Sequence, residues 1–220
     1  MICAIILAAG NSYRFNSQIP KQFHLLNGRL LLDYPIQTFS KCDKIDQLIL
    51  VVPKGKVETI QKAYPHYNVI SGGASRRESS FKGLTACPPE TEKVLIHDAA
   101  RALIDKATIL RCISGLKKAN AVSTAVHAKD TVVEINEGNI VQMPNRNFMF
   151  LEQTPQGFHY HTLCNAHKNI KLDVTDDIRL VKEMGITCKV VEGSEQNFKI
   201  TTQQDFQLAE ILLKKNRCKQ

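Results

Sequence analysis

Three stretches of this chain hold residues whose types and spacing suit chemistry on a phosphorylated substrate. The first is Leu7-Ala8-Ala9-Gly10-Asn11-Ser12-Tyr13-Arg14-Phe15, followed by Ile19-Pro20-Lys21-Gln22. Small residues directly after an apolar run let backbone N–H groups come close to an anion. Arg14 and Lys21 add two cations to the same loop. That combination suits a triphosphate, whose charge grows at the bridging oxygens as pyrophosphate departs. The Walker pattern G-x-x-x-x-G-K-S/T and the dinucleotide pattern G-x-G-x-x-G are both missing. Taken bare, the loop reads equally as a strand-to-helix turn with surface cations.

The second stretch is Ser71-Gly72-Gly73-Ala74-Ser75-Arg76-Arg77-Glu78-Ser79, where a Gly-Gly turn followed by Arg and Ser could cup a base or ribose. The third is Val94-Leu95-Ile96-His97-Asp98-Ala99-Ala100-Arg101. An acidic residue ending a buried strand lies where α/β sheets bind ligands. Asp98 there could hold magnesium or a substrate hydroxyl and Arg101 a phosphate, or the two could pair with each other. His97 reads as a hydrogen-bonded, partly buried imidazole. Later in the chain Asp130-Thr131, Asn145-Arg146, Gln153-Thr154-Pro155-Gln156 and Asn197-Phe198-Lys199-Ile200-Thr201 each set polar groups beside strand-like runs.

The elements that must position these residues alternate. Strands are expected at Ile2–Leu7, Gln47–Val52, Lys93–His97, Ala121–Val126 and Thr187–Val191, and helices at Val57–Tyr64, Lys106–Ala119 and Ile178–Met184. The second helix is expected to bury Ala107, Leu110 and Ile113. The third has Thr175, Asp176 and Asp177 as capping candidates and Gly185 as its stop. The alternation predicts an α/β domain with a mainly parallel sheet covered on both faces. One segment departs from it: Thr131–Ile135 and Asn139–Gln142 flank Asn136-Glu137-Gly138, a hairpin signal and a candidate arm toward a second subunit.

The 220 residues suffice for one domain with a full core. No apolar run reaches membrane-spanning length, and no basic leader precedes the first strand, so neither a membrane segment nor a secretory signal is expected. Seven scattered cysteines with no C-x-x-C point away from zinc or disulfides and toward a reducing, cytoplasmic setting. The net charge of +8 belongs partly to a tail, Lys214-Lys215-Asn216-Arg217-Cys218-Lys219, expected to be solvated. The rest fits a small polyanion such as a nucleoside triphosphate, and without an aromatic-interleaved basic patch no nucleic-acid partner is expected.

In this order, A-A-G…R…P-K-Q, G-G…R…S, H-D-A-A-R, D-T, Q-T-P-Q, T-D-D and N-x-K-I-T resemble the 2-C-methyl-D-erythritol 4-phosphate cytidylyltransferase family from Ile5 to about Glu210. They also resemble its near relatives, the ribitol-5-phosphate cytidylyltransferases. The resemblance implies a Rossmann-like nucleotidyltransferase fold in a single domain over residues 1–220. The sheet is mainly parallel and twisted, with helices on both faces and a β-hairpin arm at about residues 128–150. It further implies CTP as substrate, a magnesium ion, and a homodimer formed through the arms.

Carried over by motif, Ala8, Ala9 and Gly10 would line the triphosphate, and Gly72, Arg76 and Ser79 would hold the cytidine. Arg14 and Lys21 would stabilise the transition state, and Arg146 and Lys199 would orient the attacking sugar-alcohol phosphate. Asp98, Arg101, Thr131 and Thr154 would line that second substrate's pocket, with Asp98 also the metal ligand. The chain departs from the family pattern at Ser12 and Ala102, where Gly and Pro are common, and at Gln196, where an acidic residue is frequent. Against the erythritol-phosphate reaction stand a pentitol phosphate as acceptor, a non-catalytic nucleotide-binding paralogue, and a glycosyltransferase, whose usual D-x-D is missing.

Overall fold

The apolar runs after Met1, Asp46 and Glu92 become neighbouring strands, because a strand covered on both faces can be apolar almost throughout. A computed structural model describes residues 1–15 and 17–217. Strands β1 (Ile2–Leu7), β2 (Leu25–Leu26) and β3 (Arg29–Leu30) precede helix α1 (Asp33–Ser40). Next come β4 (Gln47–Val52), α2 (Val57–Ala63), β5 (Asn68–Ser71), α3 (Arg76–Thr85), β6 (Lys93–Asp98) and α4 (Lys106–Gly115). The second half holds β7 (Ala121–His127), β8 (Glu134–Asn136), β9 (Asn139–Gln142) and β10 (Phe150–His159), then α5 (Tyr160–Asn169), α6 (Asp177–Glu183), β11 (Cys188–Glu192) and α7 (Gln203–Arg217).

Seven strands form one sheet in the order β11-β7-β10-β6-β1-β4-β5. All neighbours are parallel except β10, which runs antiparallel to both β6 and β7. The chain steps from β1 outward to β4 and β5, then returns to lay β6 on the other side of β1. The crevice at the carboxyl ends of β1 and β6 is therefore a topological switch point, where such sheets bind ligands. Leu7 and Asp98 pair across it in register.

One face of the sheet packs on α1, α2 and α4 through Leu32, Ile36, Phe39, Ile60, Ile109 and Cys112. The other packs on α3, α5 and α6 through Leu84, Leu163, Ala166, Leu180 and Val181. A smaller cluster, with Phe15, Leu26, Ala102, Ile200 and Ala209, seats α7 beside β2 and β3. Ala102 is thus a core residue.

Several expectations shift. In α4 the buried face is Thr108, Ile109, Cys112 and Ile113, while Ala107 and Leu110 face water; the helix turns about a different stripe and ends at Gly115. The Gly-Gly stretch is not all loop: α3 starts at Arg76, with Ser75 Oγ accepting from the Glu78 amide at 3.1 Å and Glu78 Oε2 accepting from the Ala74 amide at 2.8 Å. The spacing Ser75-x-x-Glu78 is a capping-box signal. In α6, Asp176 is the N-cap residue but its side chain makes no capping bond. The hairpin is shorter than expected, from Glu134, and turns on Glu137 and Gly138 at φ 49° and 81°, the two left-handed residues of a tight two-residue loop. In the basic tail Lys214 and Lys215 are exposed on α7, and Cys218 and Lys219 lie outside the described residues. Among the described residues no helix is long and apolar enough to cross a membrane.

Candidate active site

A cavity of about 570 Å³ opens at the switch point, walled by the loop after β1, the start of α3, the end of β6, and the segment before α7. Ala8, Ala9, Gly10, Arg14, Lys21, Arg76, Ser79, Asp98 and Lys199 all line it. Gly72 lies just beneath: a Cβ there would sit 2.3 Å from Ala9 Cβ and 2.9 Å from Ser79 Oγ. The close approach of this strand end to the loop requires glycine.

Gln22, fully covered, holds the loop in shape. Its Nε2 donates to the carbonyls of Ala8 at 2.6 Å and Gly10 at 2.9 Å. The Ala8 amide is spent on the Val51 carbonyl at 2.7 Å, so the loop's donors to an anion come from residues beyond it. Ser12 occupies the left-handed region at φ 59°, which explains why glycine suits this position. Its Oγ donates to Gln22 Oε1 at 3.1 Å and accepts from the Lys21 amide at 3.2 Å, tying both ends of the loop together.

Among the described lining residues, four cations face one carboxylate. Lys21 is 9% exposed, and burial, then Lys199 and Arg14, push its ammonium down to about 8 against the pull of Asp98 and Asp205. Asp98 accepts from Lys199 Nζ at 2.7 Å and from Arg76 Nε at 3.3 Å. Burial would raise its pKa, but Arg76 and Lys199 outweigh it and hold the carboxyl well below the usual range. Arg76 also donates through Nη1 to the buried Asp177 Oδ2 at 2.7 Å, while its Nη2 is buried with no protein partner. Burial opposes the Arg76 charge, yet Asp177 and Asp98 raise its pKa overall.

His97 and Thr154 sit behind Asp98. The Asp98 amide donates to Thr154 Oγ1 at 3.0 Å, and Thr154 Oγ1 lies 3.0 Å from His97 Nδ1. His97 Nε2 lies 3.2 Å from the Arg101 carbonyl, which only accepts, so Nε2 carries the proton and Nδ1 accepts from Thr154. Burial pushes this imidazole down to about 4, and it stays neutral. Arg101 ties the 197 and 152 carbonyls through Nη1 and Nη2, at 3.0 and 3.1 Å. Neither Thr154 nor Arg101 lines the cavity within this chain; both brace the turn that bears Asp98.

Thr131 and Arg146 lie on the exposed arm segment, outside the cavity. Among the described residues Arg146 donates only to the Lys129 carbonyl, at 3.0 Å. Gln196 is exposed and also outside. For a metal, no group of three His, Cys, Asp or Glu gathers among the described residues. Each Asp98 oxygen still has a lone pair beyond those taken by Arg76 and Lys199. Magnesium keeps most of its ligands as phosphate oxygens and water. The site therefore fits a magnesium ion carried by a triphosphate, with Asp98 its one protein carboxylate among the described residues.

Gln22 and Asp177 stand inside motifs legible in the sequence, but nothing local shows that one shapes the loop and the other anchors Arg76. His167, which bonds Asp177, carries no sequence signal at all.

A family model described as 2-C-methyl-D-erythritol 4-phosphate cytidylyltransferase matches residues 2–215. The curated protein of that name from Desulforamulus reducens is 35% identical, covering 99% of this chain and 97% of its own. That from Clostridium botulinum strain 657 is 36% identical, covering 96% of each. The crystal structure of 4-diphosphocytidyl-2C-methyl-D-erythritol synthase from Anaerococcus prevotii superposes with a TM-score of 0.85 at 34% identity, covering 97% of this chain and 98% of that one. The Thermus thermophilus cytidylyltransferase gives 0.80 at 28% identity, covering 97% and 100%.

Proposed function

Because the chain belongs to the 2-C-methyl-D-erythritol 4-phosphate cytidylyltransferase family, we propose that the switch-point cavity is where it joins CTP to that sugar-alcohol phosphate. The protein is a CTP-dependent nucleotidyltransferase; the products are the CDP-alcohol and pyrophosphate. The observation that carries the assignment of the site is a cavity at the carboxyl ends of β1 and β6 in which four cations surround a small-residue loop.

A phosphate oxygen of the alcohol phosphate attacks the α-phosphorus of CTP, and the bond to the bridging oxygen of pyrophosphate breaks in line. The attacking phosphate is already anionic near neutral pH, so positioning and electrostatics suffice without a covalent intermediate. The loop from Ala9 presents backbone donors to the triphosphate, kept in place by Gln22 and Ser12. Lys21 and Arg14 neutralise charge that gathers on the departing pyrophosphate. Arg76, which lines the cavity and keeps an Nη2 with no protein partner, meets the nucleotide, and Gly72 and Ser79 close the cytidine side. Lys199, set by Asp98, meets the second substrate. Magnesium, held by Asp98 and the phosphates, would add charge neutralisation on the triphosphate.

Thr131 and Arg146 sit outside the cavity of their own chain, which supports a homodimer in which each arm completes the other subunit's site. The arm's exposed apolar side chains point the same way: Ile135, Ile140 and Met143 are each about 60% exposed and Phe148 is 75% exposed. The six cysteines among the described residues, all free, fit a cytoplasmic setting.

The test is pyrophosphate release from CTP and magnesium with methylerythritol 4-phosphate and ribitol 5-phosphate supplied in parallel. Turnover with the first substrate is expected. Preference for the second, or release with neither, overturns the substrate assignment.

A further inference from the structure

Arg76 stands between two buried carboxylates, and only Asp98 belongs to the nucleotide cavity. The other, Asp177, is fully buried at the start of α6, with the Ser80 hydroxyl beside it and each of its oxygens taking a donor from a further side chain. Oδ2 accepts from Arg76 Nη1 at 2.7 Å, and Oδ1 accepts from His167 Nε2 at 3.0 Å. A carboxylate only accepts, so Nε2 carries the His167 proton.

The His167 ring cannot easily leave. It stacks on Phe81 of α3, with centroids 5.3 Å apart and planes 26° from parallel. Arg77, beside Arg76, donates to the His167 and Ile170 carbonyls at 2.8 and 2.5 Å, locking α5 onto α3. The Asp177 backbone is pinned as well, its amide donating to Gln156 Oε1 at 3.1 Å.

We propose that His167 is a positioning residue for nucleotide binding: by occupying one oxygen of Asp177 it keeps the Arg76 guanidinium shared with Asp98 and leaves Nη2 for the substrate. Guanidinium and carboxylate groups favour two parallel hydrogen bonds. Without the His167 donor, Asp177 Oδ1 would be buried with one partner fewer, and the donors left beside it are the Ser80 hydroxyl and Arg76 Nη2, of which only the guanidinium brings a charge. A bidentate pair would spend that donor and draw Nε away from Asp98, to which it already reaches over 3.3 Å. His167 therefore acts on the cavity without lining it. The inference rests on the reading of Arg76 as a nucleotide contact.

Steady-state kinetics of the full-length enzyme, with thermal unfolding alongside, test it. His167→Leu is expected to raise KM for CTP about tenfold, the worth of one charge-assisted hydrogen bond, with kcat and KM for the alcohol phosphate within about twofold. His167→Gln, whose amide can still donate to Asp177, is expected to recover most of the affinity. Asp177→Asn should raise KM for CTP too, and the double variant with His167→Leu should be no worse than the stronger single one. Lys168→Ala, on the exposed face of α5, should match the parent enzyme. If His167→Leu does not fold, His167→Asn, too short to reach Asp177, takes its place. An unchanged KM for CTP in the His167 variant, or equal loss in the Gln variant, overturns the proposal. So does loss spread over kcat and both KM values with a lowered melting temperature. Arg76→Ala separates the two readings: if it leaves KM for CTP unchanged, the nucleotide role of Arg76 fails and the inference falls with it, whereas a raised KM there beside an unaffected His167→Leu sinks the inference alone.

Discussion

Raising the pH from 7 to 9 should strip a charge from the switch-point cavity, because Lys21 titrates there at about 8 instead of its ordinary 10.5. Burial is the main cause, with Lys199 and Arg14 adding repulsion. The charged fraction of Lys21 falls from roughly nine-tenths at pH 7 to roughly one-tenth at pH 9. If the ammonium is the working form, kcat/KM for CTP should drop about tenfold per pH unit above 8, since that ratio reports the free enzyme. kcat reports the loaded enzyme, where triphosphate charge favours the ammonium and pulls its pKa back up, so kcat should stay level to higher pH. Lys21→Arg keeps a cation throughout this range and should lose the alkaline limb, at reduced kcat because the guanidinium fork sits differently. Pyrophosphate release between pH 6.5 and 9.5 measures both profiles. An alkaline limb that persists in Lys21→Arg, or kcat and kcat/KM falling together, would refute the reasoning. The same titration shows in stability with the opposite sign. Native Lys21 has the lower pKa, so folding suffers the penalty of a buried ammonium in full below pH 8, and the penalty fades as pH rises to 10.5. The difference of 10.5 − 8 = 2.5 pKa units sets an upper bound of about 3 kcal/mol on that gain, readable by denaturant unfolding of the unliganded enzyme.

Ser12→Ala loses the bonds to Gln22 and Lys21 yet keeps the left-handed backbone, whereas Ser12→Gly loses the bonds and relieves the strain; urea unfolding should find the Ala variant less stable by about 1 kcal/mol. The reverse order would show that Ser12 is unstrained. Gly72→Ala should abolish CTP binding in calorimetry, because its Cβ would meet Ala9 Cβ at 2.3 Å, and a variant that binds CTP normally would mean the loop can withdraw without cost. Arg146→Ala should raise KM for the alcohol phosphate and leave CTP binding unchanged. Mixing Arg14→Ala and Arg146→Ala chains should restore activity through hybrid sites, and a mixture no better than its parents would show that the arm serves its own subunit.

The strands with unbroken apolar runs, the A-A-G loop, the arm's turn and the strand-end Asp98 are all legible in the sequence. Each is set by a local rule: burial on both faces, a missing Cβ, a left-handed turn, the end of a hydrophobic run. The start of α3 is legible too, once Ser75-x-x-Glu78 is read as a cap. The antiparallel β10 is not, because Phe150–Glu152 is exposed, and the strand is buried only from Gln153, where its register shifts. Nor is the buried stripe of α4, where Leu110 and Ile109 are equally apolar and only the position of the sheet chooses between them. The site divides in the same way. Sequence identifies its cations and its carboxylate, because phosphate chemistry demands those types. The tertiary structure decides their partners: Lys199 with Asp98, and Arg76 with Asp177, each pair 101 residues apart. It also turns Thr154 and Arg101 from the cavity to the turn beneath it. A hydrogen bond depends on distances of a few tenths of an ångström, which the packing of α3 against α5, β1 and β4 sets and local sequence does not.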